Sequence, residues 1–195
     1  MKKTTTFLLI LLFAKFSLGQ KEFLNCYDAL NKQLTTGING STFIDWENCI
    51  KGKQMPDLSV ETISGEVIET QKMKGKVLVI NIWFTSCLPC IAEMPALNRL
   101  VEEYKGQQVE FIGLCTDSKE RLDSAFFPKY KFDFKIVADA GNIFKKIGET
   151  GCPTIYIIDK KGNVQAAWVG GFVDQHAETA AYLKAKPIID ELLLE

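Results

Sequence analysis

Cys87-Leu88-Pro89-Cys90 follows directly on the apolar run Val77-Leu78-Val79-Ile80-Asn81-Ile82-Trp83-Phe84, so two thiols stand where a buried strand hands over to a helix. A thiolate at a helix N-terminus is stabilised by the unpaired N–H groups and the positive end of the macrodipole, which lowers its pKa and sharpens it as a nucleophile near neutral pH. The two-residue spacer lets the second thiol reach back and close a disulfide. Zinc sites use the same spacing, but they need a second ligand pair, and none is visible in the sequence. The chemistry this arrangement implies is disulfide exchange.

The first residues, Met1-Lys2-Lys3 and then Phe7 to Ala14, give a charged start and a short apolar stretch, the pattern of a secretory leader. Small residues Ser17 and Gly19 occupy the −3 and −1 positions of a cut before Gln20. The stretch is far short of the ~20 apolar residues that span a bilayer, and no other segment qualifies. The whole chain has 23 basic and 24 acidic residues, and Lys2, Lys3 and Lys15 leave with the leader, so nucleic acid is excluded as a partner. Export places the protein in the periplasm, with secretion the alternative, and in either oxidising setting cysteines can pair.

The expected organisation is a leader at 1–19, a partly helical extension at 20–53 and one main domain at 54–195. The extension reads as a helix at Phe23 to Leu34, a turn at Gly37 to Ser41 and a second helix around Phe43 to Ile50; its apolar residues are too few for a core of its own, so it packs on the main domain. A hairpin comes next, with Leu58 to Ile63 and Val67 to Thr70 about a turn at Ser64-Gly65-Glu66. After the two thiols, Ile91, Met94, Leu97, Leu100, Val101 and Tyr104 recur at helical spacing. Val109 to Cys115 reads as a second buried strand, followed by a helix near Lys119 to Tyr130, a strand at Lys135 to Ala138 and a helix at Asn142 to Ile147. Thr154 to Ile158 and Val164 to Val169 form a closing hairpin, and a last helix from Asp174 to Leu194 is interrupted at Pro187. Strands alternating with helices and ending in a hairpin imply an α/β fold with a mixed central sheet flanked by helices.

Four pieces together resemble the thioredoxin superfamily, and within it the exported thiol–disulfide oxidoreductases of the TlpA/ResA type. They are Met55-Pro56-Asp57-Leu58, Gly75 to Trp83, Cys87 to Cys90 with Glu93-Met94-Pro95, and Gly151-Cys152-Pro153-Thr154 with Ile158 to Gly162. The extension lies outside the resemblance. What the resemblance implies is a thioredoxin-like fold in which Cys87 attacks, Cys90 resolves the mixed disulfide, and Pro153 is a cis-proline facing the thiols. It also implies that Pro95 kinks the active-site helix and that Glu93 is a carboxylate near the thiols, able to raise their pKa when ionised and pass protons when neutral; a solvated helix glutamate is the other reading. Asn81 stands where cytosolic thioredoxins carry a buried acid, which shifts proton handling toward Glu93. Trp83 covers the thiols or belongs to the core.

The remaining cysteines divide. Cys26 and Cys49 lie together in the extension and suit a structural disulfide. Cys115 ends a buried strand and is expected to be inert, and bonding to Cys152 would need Cα atoms within ~7 Å, which their flanking positions do not offer. Cys152 precedes Pro153 and is either a packing residue or an accessory redox thiol. His176, the sole histidine, starts the last helix and reads as a surface or capping residue. The activity expected is that of an envelope reductase of protein disulfides, with no organic cofactor and no metal. Its partners are thiol or disulfide proteins and a membrane-bound electron donor, the chain is a monomer, and cytochrome c maturation is the kind of task the resemblance suggests. A thiol peroxidase is the alternative enzyme, weakened by the lack of a Pro-x-x-x-Thr-x-x-Cys arrangement. A Cu(I) delivery protein is the non-enzymatic one, weakened by the cysteine spacing and the lack of a placed histidine.

Overall fold

The computed structural model describes residues 3–148 and 151–195, with side-chain surroundings from Gly19 onward. In chain order its first elements are α1 (Lys3–Thr36), α2 (Thr42–Ile50), β1 (Ser59–Glu61), β2 (Val67–Glu69), β3 (Val77–Trp83), α3 (Leu88–Glu103) and β4 (Val109–Cys115). There follow α4 (Lys119–Arg121), β5 (Lys135–Val137), α5 (Gly141–Ile147), β6 (Thr154–Ile158), β7 (Val164–Val169) and α6 (Ala177–Leu194). The sheet runs β5-β4-β3-β6-β7, parallel from β3 through β5 and antiparallel from β3 to β7, while β1 and β2 form a separate hairpin.

β3 is central and buried at every position, which is why its sequence is continuous rather than alternating in polarity. Side-chain alternation still sorts its two faces. Val77, Val79 and Trp83 join the cluster under α3 and α6, and Leu78, Ile80 and Ile82 join the one under α1, α2 and α5. The same parity turns Asn81 toward α3. On the second face the extension supplies Phe23, Cys26 and Leu30 at helical spacing, with Trp46 and Ile50, and the Phe23 and Trp46 rings meet buried Tyr156. The extension therefore roofs one face of the sheet, as its sparse apolar content requires.

Two of the expected helices differ. The helix near Lys119 is a single turn, α4, continued by a π-turn at Leu122–Phe126 that buries Leu122 and Phe126 before Pro128. The last helix begins at Ala177, because Asp174 first receives the His176 N–H on its carboxylate (2.9 Å) and the Ala177 N–H on its carbonyl (3.0 Å). It then runs unbroken through Pro187. Pro187 is exposed, and although it removes one helical hydrogen bond, the turns on either side are held against α3. Tyr182, Ala185, Ile189 and Leu192 are buried, and the Tyr104 hydroxyl reaches the Lys186 carbonyl (3.2 Å) and Asp190 Oδ1 (2.7 Å). The leader expected at Met1 to Gly19 enters α1 without a break at Gly19, and Met1 and Lys2 lie outside the described residues. Among the described residues no helix is long and apolar enough to cross a membrane.

Candidate active site

β3 ends at Trp83 and the chain turns through Thr85 and Ser86 so that Cys87 caps α3. The Cys87 backbone is extended (φ −82°, ψ 100°), its N–H is taken by the Phe84 carbonyl at 3.1 Å, and its Sγ accepts the Cys90 N–H at 3.3 Å. Pro89 sits in the first turn, where a missing N–H costs nothing. Cys87 and Cys90 are joined by a disulfide with Cα atoms 5.2 Å apart. Cys87 is the more exposed of the two, yet both are buried, at 5% and 1%. Leu88, next to Cys87, is 71% exposed.

Glu93 lies one turn along α3 from Cys90 and is 3% exposed. Its Oε1 accepts a hydrogen bond from Asn81 Nδ2 at 3.1 Å. Burial pushes its pKa up to about 8, against the smaller opposing pull of the Asn81 bond, so below that pH it is a neutral acid. A solvated helix glutamate is therefore not what stands here.

The peptide bond between Cys152 and Pro153 is cis, and the Pro153 carbonyl accepts the Gly170 N–H at 2.8 Å. This ties the end of β7 to the proline loop. A Cβ on the next residue, Gly171, would lie 3.2 Å from Glu93 Oε2, 3.2 Å from Pro153 Cγ and 3.5 Å from Pro89 Cβ. One glycine thus marks where the buried acid, the cis-proline and the proline between the two cysteines converge. A groove of about 370 Å³ opens beside it, floored by Glu93 and Trp168 and walled by Phe172, Lys184 and Glu47 of the extension. Burial raises the Glu47 pKa, offset by Lys184 and by a hydrogen bond from the Val169 backbone. Sequence reasoning missed Gly170, Gly171 and Glu47. The Gly-Gly step after β7 was the available signal for the first two, and nothing in the sequence marks the third.

The other residues singled out by sequence are spread through the fold. Trp83 is a core residue, wholly buried between Phe126 (4.9 Å between ring centroids) and Phe132 (5.4 Å). Cys115 is buried at the end of β4, where desolvation pushes its thiol up to about 12. It is not joined to Cys152, which is half-buried between the two core clusters. Cys26 and Cys49 are bonded, with Cα atoms 5.7 Å apart, and clasp α1 to α2. His176 precedes α6 with its ring 3.0 Å from Asp174 Oδ1. Among the described residues no group of three or more side chains of metal-ligating type is gathered.

A family model described as the AhpC/TSA family matches residues 51–167. Thiol-disulfide oxidoreductase ResA of Halalkalibacterium halodurans is 34% identical over 137 residues, which span 70% of this chain and 78% of that protein. Thioredoxin-like protein YneN of Bacillus subtilis is 35% identical over 131 residues, 66% of this chain and 76% of its own. Among solved structures, a thiol:disulfide interchange protein of the thioredoxin family from Chlorobium tepidum superposes with a TM-score of 0.59 at 21% identity, covering 73% of this chain and 97% of that one. That likeness establishes a thioredoxin-like fold.

Proposed function

The chain belongs to the AhpC/TSA family, and from that premise we propose that it is a thiol–disulfide oxidoreductase of the cell envelope that reduces protein disulfides with Cys87 and Cys90. The observation that carries the reading is the Cys87–Cys90 disulfide at the N-terminus of α3 with the buried acid Glu93 one turn behind it. In the reduced protein the Cys87 thiolate attacks one sulfur of a substrate disulfide. An S–S bond forms to Cys87 as the substrate's own bond breaks, and the departing substrate thiolate takes a proton. Cys90 then loses its proton and attacks Cys87 Sγ, which closes the internal disulfide and releases the second substrate thiol. Two electrons have passed to the substrate, and a two-electron donor, proposed to be a membrane-bound dithiol, returns them. Glu93, whose pKa burial raises to about 8, takes the Cys90 proton in its ionised form and gives one back in its neutral form.

A reductase is favoured over a thiol peroxidase because the sequence has no Pro-x-x-x-Thr-x-x-Cys segment. The leader pattern supports export, and the family resemblance suggests a reductive task such as cytochrome c maturation. The test is insulin reduction with two variants. Cys87→Ser is expected to abolish turnover, and Cys90→Ser to accumulate a mixed disulfide on Cys87; full turnover by Cys90→Ser refutes the assignment. The potential of the couple decides direction, with roughly −270 mV expected of a reductase and roughly −120 mV of an oxidant.

A further inference from the structure

β3 and β4 pair in parallel with Trp83 opposite Cys115, so the residues two beyond each strand end, Thr85 and Asp117, are brought side by side. Asp117 Oδ2 accepts the Thr85 backbone N–H at 2.7 Å, on the short segment that leads into Cys87. Arg121, on the single turn of α4, places its Nε 3.2 Å from Asp117 Oδ1 and donates from the same Nε to Thr85 Oγ1 at 2.9 Å. Asp117 is itself held from behind. Its carbonyl accepts the Asp139 N–H at 3.0 Å, the Cys115 carbonyl accepts the Ala140 N–H at 2.8 Å, and Cys115 Sγ approaches Asp117 Oδ2 at 3.8 Å. A carboxylate only 20% exposed, anchored on its backbone and bonded to a backbone N–H two residues before the nucleophile, is poorly explained as a solvated loop residue.

We propose that Asp117 and Arg121 form a charge-balanced clamp on the loop ahead of Cys87, in which Asp117 is the positioning residue and Arg121 cancels the charge Asp117 would otherwise present to the Cys87 thiolate. The inference rests on Cys87 being the attacking thiol. Its physical content is a pair of opposite effects. A negative charge close to a thiolate disfavours it and a positive one favours it, an effect moderated by solvent because Arg121 is 57% exposed while Asp117 is 20% exposed. The other ionisable groups at this end of the molecule include Cys90 and Glu93 on α3, Cys115 at the end of β4, Lys119, Glu120 and Asp123 around α4, Lys129 and Tyr130 beyond the π-turn, Asp139 before α5, and Cys152 before β6. Neither Asp117→Asn nor Arg121→Gln removes any of them.

The test is the pH dependence of Cys87 alkylation by iodoacetamide in the reduced full chain, read by mass spectrometry of the peptide that carries it. Asp117→Asn keeps an acceptor for the Thr85 N–H and leaves Arg121 unbalanced, so the thiolate-to-thiol ratio at a given pH is expected to rise by about threefold. Arg121→Gln leaves Asp117 unbalanced and is expected to lower that ratio by about the same factor. The double variant is expected to return close to the unsubstituted chain. A purely structural role for the pair predicts shifts of one sign, or none, and either outcome overturns the clamp. Should Asp117→Asn fail to fold, the downward shift of Arg121→Gln, set against an unmoved titration in the charge-keeping Arg121→Lys, still decides. Alkylation of Cys90 ahead of Cys87 in the unsubstituted chain overturns the nucleophile assignment and the clamp together, whereas an unmoved titration with Cys87 still first overturns the clamp alone.

Discussion

Replacing Glu93 by glutamine removes a proton-binding site while keeping shape and hydrogen-bonding capacity, so it isolates the energetic consequence of burying an acid behind the disulfide. The folded protein holds the Glu93 proton up to about pH 8, while the ordinary carboxyl value is 4.5. Between those values the native state binds more protons than the unfolded chain, so stability falls as pH rises, and it levels off above about 8. Across the whole window the loss is about 5 kcal/mol, and between pH 5 and pH 9 it is about 4 kcal/mol. Glu110 and Asp159, whose pKa values are lowered, act with the opposite sign and below the ordinary carboxyl range, and they are common to both proteins. The assay is urea unfolding of the oxidised chain and of oxidised Glu93→Gln at pH 5 and pH 9, with equal m-values as the check that the same unfolding is compared. The difference in stability between the two is expected to move by about 4 kcal/mol in favour of the glutamine variant on going to pH 9. A difference that stays constant across that range refutes the buried neutral acid and, with it, the proton-handling role.

Breaking the extension's clasp with Cys26→Ser and Cys49→Ser opens a bridge spanning 23 residues and is expected to cost about 3 kcal/mol in thermal unfolding while leaving the Cys87–Cys90 potential unchanged; a shifted potential refutes a purely structural bridge. Gly171→Val places branched carbons against Glu93, Pro153 and Pro89, so insulin reduction is expected to fall at least about tenfold, and wild-type turnover would remove this glycine from the site. Cys152→Ala is expected to move the couple by less than ~30 mV, which corresponds to ~1.4 kcal/mol, because Cys152 packs between the two core clusters; a Cys87–Cys152 disulfide in mildly oxidised Cys90→Ser makes it a redox thiol instead.

How far the sequence could be read depends on how local each signal is. The β3 run, the helical spacing of Met94, Leu97 and Leu100 and the thiol pair announce themselves within a few residues, because burial on both faces and a helix N-terminus are properties of short segments. Pro187 misled for the same reason. Its local effect is to stop a helix, while the contacts that carry α6 past it come from Tyr104, which caps α3. Glu93 was legible as a residue but not as a neutral acid, since its burial depends on the parity that turns Asn81 toward α3 and on Gly171 returning from β7 to close over the carboxylate. Asp117 was not legible at all. It is one acid in a loop until the parallel register of β3 and β4 sets it beside Thr85, and that register is a property of two strands far apart in the chain. The thiols proposed to carry the reaction are thus declared by their own neighbours, and the groups proposed to tune them are delivered by topology, which makes those groups the positions where relatives sharing the two-thiol motif can diverge in thiol acidity without altering it.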